Sequence, residues 1–378
     1  MILVLSALAL LAWLYLALFR GRFWEDATLP QLDEPDEWPS VIAIVPARNE
    51  AETIGETVRG ILEQDYQGEL KLVVIDDQSD DDTAQLAKEA ADALNQQENL
   101  IVLSGKPLPE GWSGKVWAMQ QGWEHTKAQA EPVSYVWFTD ADILHQDKAL
   151  RRLVAVATNE NRGLVSTMVE LRCKGFWEKA LVPAFVYFFK LLYPFLWVSN
   201  DKKKIAGAAG GCMLVSGQAL EKIDGPRAIQ ADLIDDCALG SAIKQSGFSI
   251  RLDLTRDSHS LRGYPKLADA WNTVARTAYT QLGYSPLKLI GSVVGLAWLF
   301  FIPVASFLSP DLLTALLGGI TWLIMSLTFL PMVKFYRVNP FWLFALPFIT
   351  IIYLGATIDS ALRYHKGQGG QWKGRSQA

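Results

Sequence analysis

The chain has 378 residues, half of them hydrophobic, and a positive mean hydropathy of +0.14. This apolar composition, with 14 tryptophans and 17 phenylalanines, indicates membrane segments and disfavours a purely soluble protein. A net charge of −5 disfavours nucleic-acid binding, which requires a basic surface against the phosphates. Cys173, Cys212 and Cys237 are far apart and form no CxxC motif, so the sequence predicts neither a disulfide framework nor a zinc site.

The chain begins with an uncharged apolar run, residues 1–19, that ends at Arg20-Gly21-Arg22. About 20 apolar residues cross a bilayer as a helix, and a signal peptide would carry its basic residues before the run. We therefore predict an uncleaved membrane anchor over residues 1–22. The positive-inside bias then predicts a cytoplasmic location for the residues after the anchor. Residues 23–39 are acidic and contain prolines, which is typical of a linker.

From residue 40 the pattern alternates between short apolar runs and amphipathic stretches. An alternating order of strand, helix and strand favours parallel strand pairing with right-handed crossover connections. The sequence therefore predicts an α/β domain over residues 40–283, with a doubly wound, mostly parallel sheet. Strands are expected at 41–45, 70–75, 100–103 and 133–138, and helices at 50–64, 83–94 and 114–127.

Two aspartates, Asp140 and Asp142, follow directly after the apolar run that ends at Phe138. Strand ends of this kind lie at the sheet edge where open α/β folds bind their ligands. Mg²⁺ and Mn²⁺ prefer oxygen ligands, often one or two carboxylates together with phosphate oxygens. The pair predicts a divalent-metal site, although Asp-x-Asp also occurs in ordinary solvated loops.

Another acidic pair, Asp76 and Asp77, stands at the end of the second predicted strand. A carboxylate at this place can accept a hydrogen bond from a nucleobase imide or a ribose hydroxyl. Capping of the following helix explains the neighbouring Ser79, Asp82 and Thr83, but it explains Asp76 and Asp77 poorly. These two aspartates are therefore candidate nucleoside ligands.

Four motifs occur in order within residues 46–142: PARNE, VVIDDQSDDDT, GWSGKVWA and FTDAD. Together they resemble the nucleotide-sugar-binding half of a family 2 glycosyltransferase, which has the GT-A fold. The resemblance implies a donor half over residues 40–145 and an acceptor half over residues 146–283. It implies nucleoside contacts for Pro46, Arg48, Glu50, Asp76 and Asp77, a place beside the diphosphate for Lys115, and a bridging Mg²⁺ or Mn²⁺ on Asp140 and Asp142. For Lys115 alone, a solvated lysine at a helix start is the alternative.

The second half contains a glycine-rich stretch, residues 206–214, that includes Gly210 and Gly211. It resembles the acceptor-side loop of the same family, where close backbone approach needs residues without bulk. Asp235 and Asp236 then open a helix and resemble the family's Glu-Asp element, with Asp235 in place of the glutamate. The resemblance implies that Asp236 is the general base, and helix capping is the alternative for both residues. Two adjacent carboxylates can raise the pKa of one of them, which suits a base.

Arg262-Gly263-Tyr264 and residues 271–276 resemble the region that closes over the sugar donor. Processive polysaccharide synthases carry Gln-x-x-Arg-Trp there, and this chain does not, because Trp271 precedes Arg276. The departure disfavours a polymerising enzyme. For Arg276, contact with a phosphate and simple solvation remain equally open. His259 stands alone and is interpreted as structural.

Two apolar regions remain. Residues 176–198 are rich in aromatics but contain charges and prolines, so they predict interfacial helices, with a core helix pair as the alternative. Within residues 284–362, the segments 287–308, 312–333 and 341–358 are each long enough to cross a membrane. If all three segments cross the membrane, the basic tail, residues 363–378, lies on the side opposite the cytoplasm, contrary to the positive-inside bias. One segment is therefore expected to be re-entrant or interfacial, and the third, which contains Pro347, is the first suspect.

The whole layout, with GWSGKVWA, the AGAAGGCML loop and the closing QWKGR, resembles the bacterial hopene-associated glycosyltransferases. The resemblance implies inverting transfer from a nucleotide-sugar, first of all a UDP-sugar, to a lipid acceptor in hopanoid or glycolipid biosynthesis. The implied location is the bacterial inner membrane, with several membrane spans and a cytoplasmic catalytic domain. Two alternatives stay open: a polyprenyl-phosphate glycosyltransferase, and a non-catalytic membrane scaffold that retains the fold.

Overall fold

The structure, a computed structural model, describes residues 1–369, 371–372 and 375–376. Eight strands form one sheet in the order β3-β2-β1-β4-β7-β6-β8-β5. They are β1 (Val41–Ala47), β2 (Leu70–Asp76), β3 (Leu100–Ser104), β4 (Tyr135–Phe138), β5 (Ile143–His145), β6 (Leu164–Glu170), β7 (Met213–Ser216) and β8 (Ile250–Ser260). Lys373 and Gly374 of the closing motif, and with them part of the predicted basic tail, lie outside the described residues.

Helices cover both faces of the sheet and form most of the two ends of the chain. Short 3₁₀ turns occur at Gln97–Asn99, Gly225–Ile229 and Pro340–Ala345. The α-helices are α1 (Ile2–Phe19), α2 (Ile54–Leu62), α3 (Thr83–Ala93), α4 (Gly114–Lys127), α5 (Ala149–Asn159), α6 (Phe176–Leu192), α7 (Phe195–Val198), α8 (Gly217–Lys222), α9 (Asp235–Gln245), α10 (Leu267–Gln281), α11 (Pro286–Phe307), α12 (Leu312–Phe335) and α13 (Leu346–His365).

The first half of the sheet is parallel. β1 pairs in parallel with β2 and β4, and β2 pairs in parallel with β3, as the alternating pattern predicts. The second half is mixed, because β7 runs antiparallel to both β4 and β6, whereas β8 is parallel to β6 and antiparallel to β5. The expected α/β fold with a mostly parallel sheet is confirmed, with β7 as an antiparallel insertion.

β1 is buried on both faces, which explains its continuous apolar sequence. Val41, Ala43 and Val45 pack into one core, which includes side chains of α2, α3 and α5. Ile42 and Ile44 pack into the other core, which includes side chains of α4 and α6. The two-residue period of the strand thus joins both cores at the centre of the sheet.

α2 begins at Ile54, four residues later than the sequence pattern predicts. The backbone N–H of Asn49 donates to Ser79 Oγ at 3.0 Å, and that of Ala51 donates to Asp81 Oδ2 at 3.2 Å. Because the 79–81 loop accepts from these N–H groups, residues 48–53 form a loop at the strand end and leave the helix shorter.

α1, α11 and α12 pack together away from the sheet. Ser6 Oγ and Ser306 Oγ are 2.6 Å apart, and the indole of Trp13 donates to Leu299 O at 2.8 Å. Gly318 of α12 lies so close to α11 that a Cβ there would be 2.4 Å from the backbone nitrogen of Phe307. The three helices therefore form a tight bundle, whose outward surface carries many exposed apolar side chains.

Within the described residues, five helical segments are long and apolar enough to cross a membrane: Ile2–Phe19, Phe176–Val198, Pro286–Phe307, Leu312–Phe335 and Pro340–His365. For Phe176–Val198 a crossing conflicts with the fold. The strand before it, β6, and the strand after it, β7, pair directly in one sheet, so both ends of the segment lie on the same side. The segment packs against α10, α12 and α13 instead.

The predicted linker, residues 23–39, is attached to the sheet edge near β8. The backbone N–H of Leu29 donates to Leu254 O at 2.9 Å, and that of Leu254 donates to Ala27 O at 2.7 Å. Phe23 is buried against Tyr187 of α6. These contacts hold the end of α1 close to the α/β domain.

Candidate active site

The loops after β1, β2 and β4 meet at one edge of the sheet. Parallel strands end at the same edge, and the register places Ala47 beside Asp76. Asp140 and Asp142 follow β4 there, since Phe138 pairs with Ile44 of β1. This edge is where the sequence predicts the donor and metal ligands.

Lys115, at the start of α4, joins the two halves of the site. Its Nζ is 2.8 Å from Asp140 Oδ1 and 3.0 Å from Asp235 Oδ2. Burial lowers the pKa of Lys115, but the attraction of Asp140, Asp235 and Asp236 outweighs burial and raises it above the usual value. The lysine is therefore a fixed cation between the β4 loop and α9.

Asp236 accepts two backbone hydrogen bonds at the start of α9. Gly210 N donates to its Oδ2 at 2.9 Å, and Cys237 N donates to its Oδ1 at 2.7 Å. Burial, and next the charge of Asp235, raise the pKa of Asp236 to about 6, against the lowering effect of Lys115. A carboxyl with this pKa is poised to accept a proton near neutral pH.

The predicted acceptor loop reaches the same cluster. A Cβ on Gly210 would lie 3.1 Å from Lys115 Nζ and 3.5 Å from Asp236 Oδ2. The carbonyl of Gly211 accepts from Thr139 Oγ1 at 2.8 Å, next to Asp140. The missing side chains thus allow the loop to lie against both the base candidate and the β4 loop.

The predicted nucleoside residues form a second group at the same edge. Pro46 is the last residue but one of β1, and Arg48 donates from Nη1 to the backbone oxygens of Asp77 and Gln78. Asp76 Oδ1 accepts from the backbone N–H of Ser79 at 3.2 Å. These contacts tie the β1 and β2 loops together, and the side chain of Asp77 is fully buried between them.

Arg262 is a site residue whose partners the sequence did not indicate. It forms an ion pair with Glu50 and lies with Nε 3.8 Å from Asp142 Oδ2. Glu50 and Arg262 are 212 residues apart, so no local pattern connects them. The RGY motif by itself resembles only a region that closes over the donor. In the structure, Arg262 links Glu50 in the loop after β1 to Asp142 in the loop after β4.

Arg276 is placed at the rim of the site. It is exposed on α10, and its charge acts on Tyr264, as does the charge of Asp142. Burial raises the pKa of the Tyr264 hydroxyl. Tyr264 is therefore near both Arg276 and Asp142. Arg276 forms no ion pair with the site carboxylates within the described chain.

Glu178 is a second functional candidate that the sequence did not single out. Its carboxylate is buried at the start of α6 and accepts from Lys174 N at 2.8 Å and Gly175 N at 2.6 Å. It also accepts from Tyr264 N at 2.9 Å. Glu178 therefore fastens the loop of Arg262 and Tyr264 to α6.

Asp140 and Asp142 can hold a divalent cation only with help from a ligand. No group of three or more His, Cys, Asp and Glu side chains suited to a metal ion forms in the described part of the chain. Burial, and repulsion by Asp142, raise the pKa of Asp140 against the effect of Lys115, so the two carboxylates are close together. Two hard oxygen donors, completed by phosphate oxygens and water, suit Mg²⁺ or Mn²⁺.

The model of the family described as Glycosyl transferase family 2 matches residues 42–224. These residues include β1 except its first residue, all of β2 to β7, and every predicted donor residue. No curated protein matches the chain by sequence.

The structure is similar to a solved mannosyltransferase from Pyrobaculum calidifontis in complex with GDP-Man and Mn²⁺. The TM-score is 0.58 at 18% identity, over 96% of this chain and 98% of that chain. The likeness therefore concerns the fold and extends over almost the whole of both chains.

Two further solved structures are similar at a lower level. A mannosyl-3-phosphoglycerate synthase from Rubrobacter xylanophilus has a TM-score of 0.39 and 17% identity, over 65% of this chain and 75% of that chain. A glucosyl-3-phosphoglycerate synthase from Mycobacterium tuberculosis, in complex with Mn²⁺ and UDP-Glc, has a TM-score of 0.39 and 20% identity, over 65% and 79%. TM-scores this low add nothing to the fold assignment.

Proposed function

We propose that this enzyme, whose residues 42–224 form a family 2 glycosyltransferase domain with the GT-A fold, transfers a sugar to a lipid acceptor with inversion. The donor is a nucleotide-sugar, first of all a UDP-sugar, and the setting is hopanoid or glycolipid biosynthesis. The observation that carries the proposal is the convergence of Lys115, Asp140, Asp235 and Asp236 at one sheet edge.

The donor binds on the β1, β2 and β4 loops. Pro46, Arg48, Glu50, Asp76 and Asp77 surround the nucleoside, supported by the hydrogen bonds that join these loops. Lys115 and Arg262 are the cations beside the diphosphate. A fixed cation of this kind stabilises the charge that develops on a leaving diphosphate.

Asp140 and Asp142 would hold Mg²⁺ or Mn²⁺ together with the diphosphate oxygens. When bound, the metal supplies Lewis-acid stabilisation of the leaving diphosphate. Lys115 also contacts Asp140 at 2.8 Å, so it helps to hold this carboxylate in place.

Asp236 acts as the general base. It takes the proton of an acceptor hydroxyl while the hydroxyl oxygen attacks the anomeric carbon of the sugar. The bond between this carbon and the diphosphate breaks on the opposite face, and the electron pair leaves with the nucleoside diphosphate. The N–H groups of Gly210 and Cys237 hold the Asp236 carboxylate in one orientation. The side chain therefore does not have to change rotamer before it accepts the proton.

A lipid acceptor is favoured by the apolar helices beside the site. Tyr264 lies among apolar side chains of α6, α10 and α13, which include Leu181, Phe185, Val274 and Tyr353. Tyr264 in turn adjoins Asp142 and Arg262. A lipid whose headgroup reaches the carboxylates can place its chain along these helices and remain in the bilayer. We place the protein in the bacterial inner membrane, with the catalytic domain on the cytoplasmic side.

The first experiment compares the lipids of a strain that lacks the protein with the same strain carrying wild-type or variant genes. Wild type is expected to restore one glycolipid or hopanoid, and Asp236→Asn is expected to fail. Asp92→Asn, which changes an exposed carboxylate on α3, is the control and should restore the lipid.

The alternatives predict other results. A polyprenyl-phosphate acceptor attacks through a phosphate oxygen, which scarcely needs a base, so Asp236→Asn would then stay active. A non-catalytic scaffold would let every site variant restore the lipid. Purified protein with UDP-sugars and lipid extracts separates the two cases, because only an enzyme releases UDP.

A further inference from the structure

A cluster of cations surrounds Trp197 at the end of α1, and the proposed transfer chemistry does not use it. Arg20 and Lys203 both lie near the Trp197 ring, at 5.2 and 5.1 Å from its centroid. The two cations belong to segments that are about 180 residues apart in sequence. We define the basic patch as Arg20, Arg22, Lys202, Lys203 and Lys204.

The patch has a defined geometry. The guanidinium of Arg20 donates to Leu191 O at 3.3 and 3.4 Å, which joins the end of α1 to the end of α6. Gly21 has a φ of +63°, and a Cβ there would lie 2.8 Å from Trp197 Cδ1. The turn after α1 is thus packed directly on α7, so the two basic segments are held next to each other.

The patch adjoins apolar surface on the same two helices. Leu18 and Phe19, at the end of α1, are 63% and 67% exposed. Leu192 and Leu196, at the end of α6 and in α7, are 49% and 38% exposed. If α1 crosses the membrane, its apolar end lies in lipid and the basic patch lies at the level of the headgroups.

The lysines of the patch are available for an external partner. Lys202, Lys203 and Lys204 are all exposed, and none of the three forms an ion pair within the described residues. Of the neighbouring acids, Asp201 pairs with Arg162, outside the patch, at 3.3 Å, and Glu25 pairs with Arg22 of the patch at 3.2 Å, which leaves the three lysines without an acidic partner in the described residues. The positive charge is local, since the whole chain has a net charge of −5.

We propose that the basic patch binds the headgroups of anionic phospholipids, such as phosphatidylglycerol, in the leaflet next to the catalytic domain. Clustered lysines and arginines beside a membrane helix attract anionic lipids through charge. The inference rests on the proposed membrane placement but is independent of the transfer chemistry. Such binding fixes the height of α6 and α7, and hence of the site above them, relative to the lipid surface.

The test measures lipid selectivity of the full chain reconstituted in phosphatidylcholine vesicles. Spin-labelled phosphatidylglycerol and phosphatidylcholine report how strongly each lipid associates with the protein. Wild type should prefer phosphatidylglycerol by about fivefold or more, and 0.5 M NaCl should reduce this preference. The triple variant Lys202→Gln, Lys203→Gln, Lys204→Gln should lose most of it.

The matched control removes three exposed lysines from the α/β domain, with the substitutions Lys88→Gln, Lys148→Gln and Lys222→Gln. It should keep the preference of wild type. Equal losses in both triple variants, or no loss in either, would overturn the inference while the membrane placement stands. Failure of the wild-type chain to float with the vesicles would overturn the membrane placement and the inference together.

Discussion

At the scale of single residues, the site depends on the pKa of one carboxyl group, that of Asp236. Burial and the adjacent Asp235 raise the pKa of Asp236 to about 6, while Lys115 from α4 acts in the opposite direction. Cys237 on the same helix and Tyr193 after α6 also face this carboxyl group. The balance of these charges sets the pH at which the base becomes available.

The first prediction concerns the pH profile. Asp236 must be deprotonated to accept a proton, so kcat/KM should be level above about pH 6 and fall about tenfold per pH unit below it. Asp235→Asn removes the neighbouring negative charge, so it should move the inflection to lower pH. Initial rates of UDP release between pH 4.5 and 8 check both statements. An inflection that stays in place, or moves to higher pH, would contradict the coupling.

A second prediction uses the close approach of Gly210. A Cβ there would meet Lys115 Nζ at 3.1 Å, so the lysine must shift slightly from its position between Asp140 and Asp235. Gly210→Ala should lower kcat by about tenfold and leave the melting temperature nearly unchanged. Gly55→Ala is the control, because a Cβ at that position meets nothing within 4 Å. Equal kcat values for the two variants would show that the position of Lys115 is not critical.

Part of this residue-level picture could be predicted from the sequence. Asp140, Asp142, Asp76 and Asp77 stand directly after apolar runs, and a strand end fixes their place at the sheet edge. The pairing of Arg262 with Glu50 could not be predicted in this way, because it depends on how β8 returns to the sheet 212 residues later.

At the scale of elements, α6 and the loop before α10 act as one unit. The carboxylate of Glu178 accepts from the backbone N–H of Gly175, at the start of α6, and from the backbone N–H of Tyr264, in the loop before α10. Gly263 is required between them, since a Cβ there would lie 2.2 Å from Glu178 Oε1. The position of Arg262 over Glu50 and Asp142 therefore depends on a helix outside the donor site.

The third prediction tests this connection. Glu178→Gln turns one acceptor oxygen into an amide donor that faces backbone N–H groups, so the loop should loosen. We expect the donor KM to rise about tenfold, with a smaller change in the acceptor KM. Glu221→Gln, an exposed site on α8, is the control. A uniform loss of activity, with both KM values unchanged, would indicate a general folding defect instead.

The boundaries of the helices and strands show which features the sequence pattern predicts and which it does not. α4 and the predicted strand ends agree with the structure to within one or two residues, since apolar periodicity defines them. α2 starts late because the 79–81 loop accepts from the N–H groups of Asn49 and Ala51, a long-range effect. The antiparallel direction of β7 could not be predicted either, because the apolar pattern of a strand is the same for parallel and antiparallel pairing.

At the scale of the whole molecule, the sheet restricts how the chain can thread a membrane. α1, α11 and α12 form the bundle, and the contact of Ser6 with Ser306 places the start of α1 beside the end of α11. α12 returns to the α/β domain, where Arg256 of β8 donates to Phe335 O at 2.8 Å. If these three helices cross a membrane, their packing gives them a consistent up-and-down order, with the 308–311 turn on the side away from the α/β domain.

α13 packs against α11 of this bundle and, more extensively, against α10. α10 has 15 residues and is too short to cross a membrane. The indole N–H of Trp271 on α10 donates to Asp359 Oδ2 on α13 at 2.8 Å, and the backbone N–H of Tyr279 donates to Ser360 Oγ at 3.0 Å. Tyr353 of α13 also donates to Leu181 O of α6 at 2.8 Å. We infer that α6, α10 and α13 lie together at the interface. The end of α13 then stays on the side of the catalytic domain, where the positive-inside bias places its basic residues.

The last prediction concerns this threading. In a Cys173→Ser background, which leaves only the buried Cys212 and Cys237, a membrane-impermeant maleimide should label Ser309→Cys in intact spheroplasts. Lys366→Cys, exposed just after α13, should be labelled only after permeabilisation. Labelling of Lys366→Cys in intact spheroplasts would mean that α13 crosses the bilayer and that its contacts with α10 form differently in the membrane. Labelling only after permeabilisation would explain the excess of basic residues in the tail without a fourth span.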